Sequence, residues 1–487
     1  MNPAADASPL APAPENRPRG PGSAPRRPGG PDLPAPLRGK VYPRAVTGVF
    51  ARWRVALIWI TQAVFYGLPW LQWDGRQAML FDLEARRFFM FGTVLHPQDF
   101  IYLTGLLVIA AMALFLFTAV AGRVWCGYAC PQTVYTEIFL WIEKRVEGDR
   151  ARRMKLDRAA MSPRKAGLKL AKHAAWLAVA LWTGLSFVGY FSGIRGLPAE
   201  VLALQTGPWE SFWMIFYAGI LYANAGFLRE QVCTYMCPYA RFQSALIDGD
   251  TMVVTYDSER GDPRGSRPRK ADPKLMGLGD CIDCGLCVEV CPTGIDIRKG
   301  LQNECIGCAA CVDACDDIMG RVGYPKGLIR YDSGNGLRRD QGRVAMLRGM
   351  LRPRVLAYAA LLVAATLSVF THMALRSPLR LDVIRDRGVL AREVEDGMIE
   401  NVYRVRLSNH TDRAHRFTVA VGGLPSAVVA TEAMVDVEAD SERQIPVRVR
   451  VPHGVGKPGS NAIEFSVEAR GEPSLAIAER STFFVPR

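Results

Sequence analysis

Five apolar runs, a tandem of closely spaced cysteines between the fourth and the fifth, and a cysteine-free C-terminal stretch of alternating polarity predict a multi-domain membrane protein. The fold class is five α-helical transmembrane segments, an inserted bacterial-type 2[4Fe–4S] ferredoxin domain, and a C-terminal all-β immunoglobulin-like sandwich. Each part rests on a separate physical signal.

The apolar runs fall at about 55–71, 100–121, 168–191, 212–228 and 355–375. Each is close to the roughly 20 residues that a helix needs to cross the hydrocarbon core. The first four belong to a membrane domain over 40–254, and the fifth to a segment over 351–375. The first and fourth runs are short and rich in Trp and Tyr, so a buried or re-entrant helix is the alternative for those two.

The formal net charge is +13. The basic residues flank apolar runs and form no aromatic-interleaved patch, so they set membrane orientation and no nucleic-acid partner is expected. Arg150, Arg152, Arg153, Lys155 and Arg158 crowd the 122–167 loop. Arg195 stands alone in 192–211, and Arg76, Arg86 and Arg87 are spread over 72–99. The 122–167 loop is therefore cytoplasmic and the other two lie outside. Residues 1–39 are rich in Pro, Ala, Gly and Arg and lack a signal-peptide apolar region, so they read as a disordered cytoplasmic arm. Parity puts 255–350 in the cytoplasm and 376–487 on the opposite side. In that last segment Tyr403, Val405 and Leu407 alternate with Arg404 and Arg406, and Ile463, Phe465 and Val467 alternate with polar neighbours. Period two between Gly, Pro, Asn and Asp turns is the signature of antiparallel strands.

All 12 cysteines lie between 126 and 315. CxxC runs in a long chain suit metal or cluster ligation better than an extracellular disulfide scaffold. The strongest signal is Cys281-x2-Cys284-x2-Cys287-x3-Cys291-Pro292, followed by Cys305-x2-Cys308-x2-Cys311-x3-Cys315. In such tandems three thiolates wrap one cluster and the fourth comes from the other run. The expected sets are Cys281, Cys284, Cys287 and Cys315 for one [4Fe–4S] cluster, and Cys305, Cys308, Cys311 and Cys291 for the other. Asp316 stands where a Pro is expected after the last cysteine. Gly285 and Gly307 are expected to let the backbone approach the sulfurs. Asp280, Asp283, Glu289, Asp313, Asp316 and Asp317 are candidate modulators of potential, or simply solvated acids.

The second signal is a repeated CxxxCP: Cys126 and Cys130 before Pro131, and Cys233 and Cys237 before Pro238. Each follows a helical hairpin. A spacing of four puts both thiols on one helix face, or both in a loop stopped by Pro. Four thiolates at one membrane depth could hold Cu(I), Zn or Fe–S, or they could be packing cysteines at helix ends. Packing or surface roles are expected for all six histidines, since His173 and His372 sit near opposite membrane faces and cannot pair on a haem. Walker A, GxSxG, HExxH and GxGxxG motifs are absent, so no nucleotide or Rossmann site is supported.

The chain resembles the CcoG/FixG/RdxA family of cytochrome c oxidase accessory proteins over roughly residues 40–487. The resemblance is carried by Val41-Tyr42-Pro43-Arg44-Ala45-Val46, Trp125-Cys126-Gly127-Tyr128-Ala129-Cys130-Pro131-Gln132-Thr133, Cys233-Thr234-Tyr235-Met236-Cys237-Pro238-Tyr239-Ala240-Arg241-Phe242-Gln243, the eight-cysteine tandem, and Gly323-Tyr324-Pro325-Lys326-Gly327-Leu328-Ile329-Arg330-Tyr331. It implies a multi-pass protein of the bacterial inner membrane with a periplasmic C-terminal domain. It implies a role in assembling cbb3-type oxidase by reducing Cu(II) to Cu(I), with Cys126, Cys130, Cys233 and Cys237 as the copper or redox thiols. Copper chaperones, oxidase subunits or assembly factors would be partners, and an unidentified donor would supply electrons. Two other readings are an electron-transfer subunit of a quinol-oxidising chain, similar to NapH-type membrane ferredoxins, and a redox-sensing assembly scaffold.

Overall fold

The computed structural model describes residues 40–486, except 97–98, 269–274, 340–350, 376, 387–390, 395–396, 412 and 440. The expected arm over 1–39 lies outside the described residues.

The first helix, α1 (Val49–Gly67), begins six residues before the apolar run expected at 55–71 and ends four residues short of it. The cause is a distant carboxylate. The backbone N–H groups of Phe50 and Ala51 donate to Asp313, at 3.2 and 2.7 Å. Asp313 thus satisfies first-turn donors that a helix leaves unpaired and faces the positive end of its dipole. Pro69 lies in the 3₁₀ turn that follows α1. The stretch expected as a loop over 72–99 instead contains the two-residue strands β1 (Gln72–Trp73) and β2 (Arg76–Gln77), which pair with each other. A three-stranded sheet follows: β3 (Met79–Asp82), β4 (Arg87–Met90) and β5 (Thr93–Leu95). Phe81 packs on Tyr190 and Phe191, so this sheet covers one helix end.

Next come α2 (Phe100–Ala121), α3 (Val124–Tyr128), α4 (Pro131–Glu147), α5 (Arg150–Arg158) and α6 (Pro163–Ser192). Helix α2 has the expected bounds. The 122–167 segment is largely helical and not an open loop, because α4 is amphipathic and buries Phe139 against Trp176 of α6, with ring centroids 5.1 Å apart. Its buried face also carries Glu143 and Glu147 into an ion network with Arg153, Lys169, Lys172 and Arg229. Helix α6 extends five residues upstream of the expected run, where Ser162 caps the N–H of Lys165 at 3.2 Å. The chain continues through α7 (Leu197–Ala203), α8 (Pro208–Ala223) and α9 (Pro238–Leu246). Helix α8 runs on as a π-turn to Leu228.

Residues 253–332 form the cysteine-rich unit. Strand β6 (Val253–Tyr256) pairs antiparallel with β7 (Ile329–Asp332). Between them lie the helices α10 (Ser258–Gly261), α11 (Leu286–Glu289) and α12 (Ala310–Val322). The short helix α13 (Gly334–Arg339) and the long α14 (Pro353–Ala374) follow. Among the described residues, four helical stretches are long and apolar enough to cross a membrane: Phe100–Ala121, Pro163–Ser192, Pro208–Leu228 and Pro353–Ala374. Helix α1 is not among them, since Arg52 and Arg54 sit in its first turns. Arg54 is buried there against Glu137, 2.6 Å away.

The C-terminal part is two facing sheets. One has the order β12 (Val428–Val429), β14 (Ser441–Pro452), β10 (Met398–Asn409), β8 (Leu379–Arg385), with β9 (Arg392–Val394) also on β10. The other has the order β13 (Met434–Val437), β11 (His415–Gly422), β15 (Gly459–Ala469), β16 (Glu472–Val485). The alternating residues read from the sequence, including Tyr403, Val405, Leu407, Ile463, Phe465 and Val467, are buried between the sheets. Period-two strands placed in this way bury one face each.

Candidate iron–sulfur and thiol site

The two cysteine runs line two neighbouring cavities. Cys281, Cys284, Cys287 and Cys315 line the first, with Tyr256, Met319 and Leu328 as part of its wall. Cys291, Cys305, Cys308 and Cys311 line the second, together with Val254 and Ile306. Cys287 lines both and so stands between them. Local backbone makes these loops possible. Asp283 and Gly285 in one, and Gly307 and Ala309 in the other, take positive φ values of 54 to 70°, the region that turns the chain sharply. Burial pushes the thiols up, Cys287 to about 11 and Cys305 and Cys315 to about 12. A buried thiolate is costly unless a metal takes its charge. Eight sulfurs in two apolar cavities fit [4Fe–4S] clusters, whose potentials depend on such burial.

If the sets cross as expected, Cys291→Ser should lower iron from about eight to about four atoms per chain. Cys308→Ser should lose the same EPR signal as Cys291→Ser, and Cys284→Ser the other. Loss of one and the same signal in Cys291→Ser and Cys284→Ser would contradict the crossing.

The acidic residues expected to tune potential have other partners. Asp313 holds the start of α1. Asp316 accepts from the Gly327 N–H at 2.9 Å, and Glu289 pairs with Arg44 and Arg150. Asp280 pairs with Arg260, Asp283 with Arg298, and Asp317 with Arg321.

The CxxxCP motifs have a shape that neither sequence alternative described. In each, the first cysteine lies in a short helical turn and the second is the N-cap of the next helix. Cys126 is in α3, and Cys130 is extended before Pro131 of α4. Cys233 is in a π-turn, and Cys237 is extended before Pro238 of α9. Pro suits that first helical position because its missing N–H would be unpaired anyway. The four thiols are electrostatic neighbours. Burial pushes Cys126 up to about 11, with Cys130 and Cys237 adding to it. Burial likewise pushes Cys233 up to about 12, with Cys130, Cys126 and Cys237 adding to it. Among the described residues, however, no three His, Cys, Asp or Glu side chains surround one ion-sized position. Two of the thiols, Cys130 and Cys237, stand at the starts of separate helices.

The motifs meet the cysteine-rich unit directly. Cys126 and Cys233 pack against Val290, Ile306, Cys308, Ala310 and Ala314. A Cβ on Gly127 would lie 2.8 Å from Cys308 Cα and 2.8 Å from Ile306 O. One on Gly307 would lie 3.2 Å from the Arg123 carbonyl. Gly307 therefore serves the contact between the two parts, beyond the access to sulfur expected for it. Tyr331 donates to the Gly307 carbonyl and approaches Tyr128 at 3.4 Å. Arg123 donates to the carbonyls of Asn303 and Ala240 and lowers the cost of thiolate at Cys126, Cys233 and Cys305. Sequence reasoning missed Arg123, which looks like any cation flanking a span. The Val41–Val46 motif is a strap: the Arg44 N–H donates to Glu289 O at 2.8 Å, and Arg153 donates to Pro43 O at 2.8 Å.

Comparison with known proteins agrees with these parts. Residues 228–334 match the family described as "4Fe-4S dicluster domain", residues 103–148 the "4Fe-4S binding domain", and residues 369–486 the "IG-like fold at C-terminal of FixG". The nitrogen fixation protein FixG of Rhizobium meliloti (strain 1021) is 37% identical over 457 residues, which are 86% of this chain and 87% of that protein. The chain belongs to the FixG/RdxA family. Protein RdxA of Cereibacter sphaeroides is 39% identical over 430 residues, covering 86% of this chain and 90% of that protein. A crystal structure of a FixG-related protein from Vibrio parahaemolyticus aligns with 23% of this chain and 99% of its own, at 21% identity and a TM-score of 0.21. Membership makes this a membrane-associated iron–sulfur electron-transfer protein.

Proposed function

We propose that the protein reduces Cu(II) to Cu(I) in the assembly of cbb3-type cytochrome c oxidase. The two clusters would be held as Cys281, Cys284, Cys287, Cys315 and Cys305, Cys308, Cys311, Cys291. When bound, they supply one electron at a time. The observation that carries the reading is the close seat of Gly127, Cys126 and Cys233 on the Ile306–Cys308 loop. In this reading the second cavity is the exit, and the first, where Cys284 is exposed, is the entry from an unidentified donor. Cys126, Cys130, Cys233 and Cys237 take the copper, since soft thiolates prefer Cu(I). Each Cu(II) gains one electron as one reduced centre is oxidised. The Cu(I) then passes to copper chaperones or oxidase assembly factors.

In this reading α1 is a fifth span. Its exposed Trp59, Ile60 and Val64 support that. The ferredoxin-type unit and the β-sandwich are joined through the single span α14, which puts them on opposite faces. The basic loops support a cytoplasmic ferredoxin-type unit and a periplasmic sandwich.

The test is anaerobic purification, reduction of the clusters, and titration with Cu(II) under EPR. Cluster oxidation matched one for one to Cu(I) formed supports the reading. Reduced clusters that ignore Cu(II) overturn it.

A further inference from the structure

A cavity of about 830 Å³ lies at the other end of α2 from the thiols. The 22-residue helix separates the two by about 33 Å at 1.5 Å per residue. Its walls come from three places: the turn before α2 (His96, Asp99), the last turns of α14 (His372), and the edge of the β-sandwich (His410, Glu442). The chain has only six histidines, and three of them meet here although they are far apart in sequence. The rings of His96 and His410 are 4.7 Å apart between centroids, one from the membrane part and one from the sandwich. The Nδ1 of His372 is held by the Tyr102 hydroxyl at 2.9 Å, which leaves its Nε2 outside that bond. Asp99 accepts the His96 backbone N–H at 3.0 Å through one carboxylate oxygen. Glu442 is paired with Arg406 at 3.0 Å.

We propose that His96 and His410 bind a divalent first-row transition cation in this cavity, joining the β-sandwich to the membrane part. Imidazole is the ligand of choice for such ions, and Cu(II) heads their order of affinity. Among the described residues no three His, Cys, Asp or Glu side chains surround an ion as they stand, so the two imidazoles are the primary ligands in this proposal. Water completes the shell, and His372 and Asp99 can close in from the same cavity. The site lies too far from the clusters for them to reduce the ion where it sits. It is a binding site, and it stands whether or not the reductase reading does.

The test uses the full chain with oxidised clusters and with its accessible thiols alkylated, titrated with Cu(II) and read by EPR. The expected result is about one equivalent bound with nitrogen hyperfine structure from two imidazoles. In His96→Gln/His410→Gln, affinity should fall at least about tenfold and the nitrogen pattern should vanish. Equal affinity and pattern in that variant would overturn the proposal. If the double variant does not fold, the unaltered protein still decides: a bound Cu(II) without nitrogen coupling would overturn it too.

Discussion

Gly127→Val should cut Cu(II) reduction by about 100-fold while leaving the iron content unchanged. The first side-chain atom would sit 2.8 Å from Cys308 Cα and Ile306 O and 2.9 Å from Cys308 N. All three are backbone atoms, so no rotamer change relieves the contact. The CxxxCP turn and the second cysteine loop must move apart. No thiol in either cavity is altered, so both clusters should still assemble. Misplacing reacting groups by about 1 Å can cost about two orders of magnitude. Gly127→Ala should show the same direction with a smaller loss. Gly219→Ala on α8, where a Cβ meets nothing within 4 Å, is the control and should be neutral. Rates are read by mixing the reduced protein with Cu(II) under stopped flow. An unchanged rate in Gly127→Val would show that the contact does not lie on the electron path.

What made parts of this molecule legible is distance along the chain. The cysteine runs announce their cavities because most lining sulfurs lie within a dozen residues of one another. The strands of the sandwich are legible because Tyr403, Val405 and Leu407 repeat every second residue. Helix α2 is uniformly apolar, so its ends were plain. The contacts that join these parts are of another kind. Asp313 meets the start of α1 across more than 260 residues of sequence. Before folding it looks like one more solvated acid among its neighbours. Glu143 sits in a stretch so basic that charge counting alone makes it a cytoplasmic loop. Only the amphipathic pattern of α4 hints that one of its acids turns inward. His96 and His410 come together only when the sandwich meets the membrane helices. Composition fixes the parts; the joints depend on single residues without any local pattern.

Glu143 gives the strongest expected effect on stability. Its side chain is fully buried and accepts from Arg153 at 2.8 Å and from Arg229 at 3.1 and 3.3 Å. Lys172 and Lys40 stand 3.8 Å away. Burial alone would raise its pKa, but the Arg229 charge and hydrogen bonds outweigh that and hold it below the ordinary value. Glu143→Gln keeps the shape and removes the charge. Arg153 and Arg229 are then buried cations short of an anion, a loss of about 3–5 kcal/mol for a broken buried pair, while Lys172 keeps Glu147 at 3.1 Å. Thermal unfolding in detergent, followed by near-UV circular dichroism, should show a clear fall in Tm. The sign with pH follows from the lowered value. The stabilisation from ionised Glu143 is complete above the unfolded value of about 4.3 and is lost as pH falls through the lower folded one. The gap between the unaltered protein and Glu143→Gln should therefore be wide near neutrality and should narrow in acid. Arg153→Met in the Glu143→Gln background should cost less than Arg153→Met alone, by about 0.5–3 kcal/mol of coupling. Independent, additive losses would mean that the network does not act as a unit.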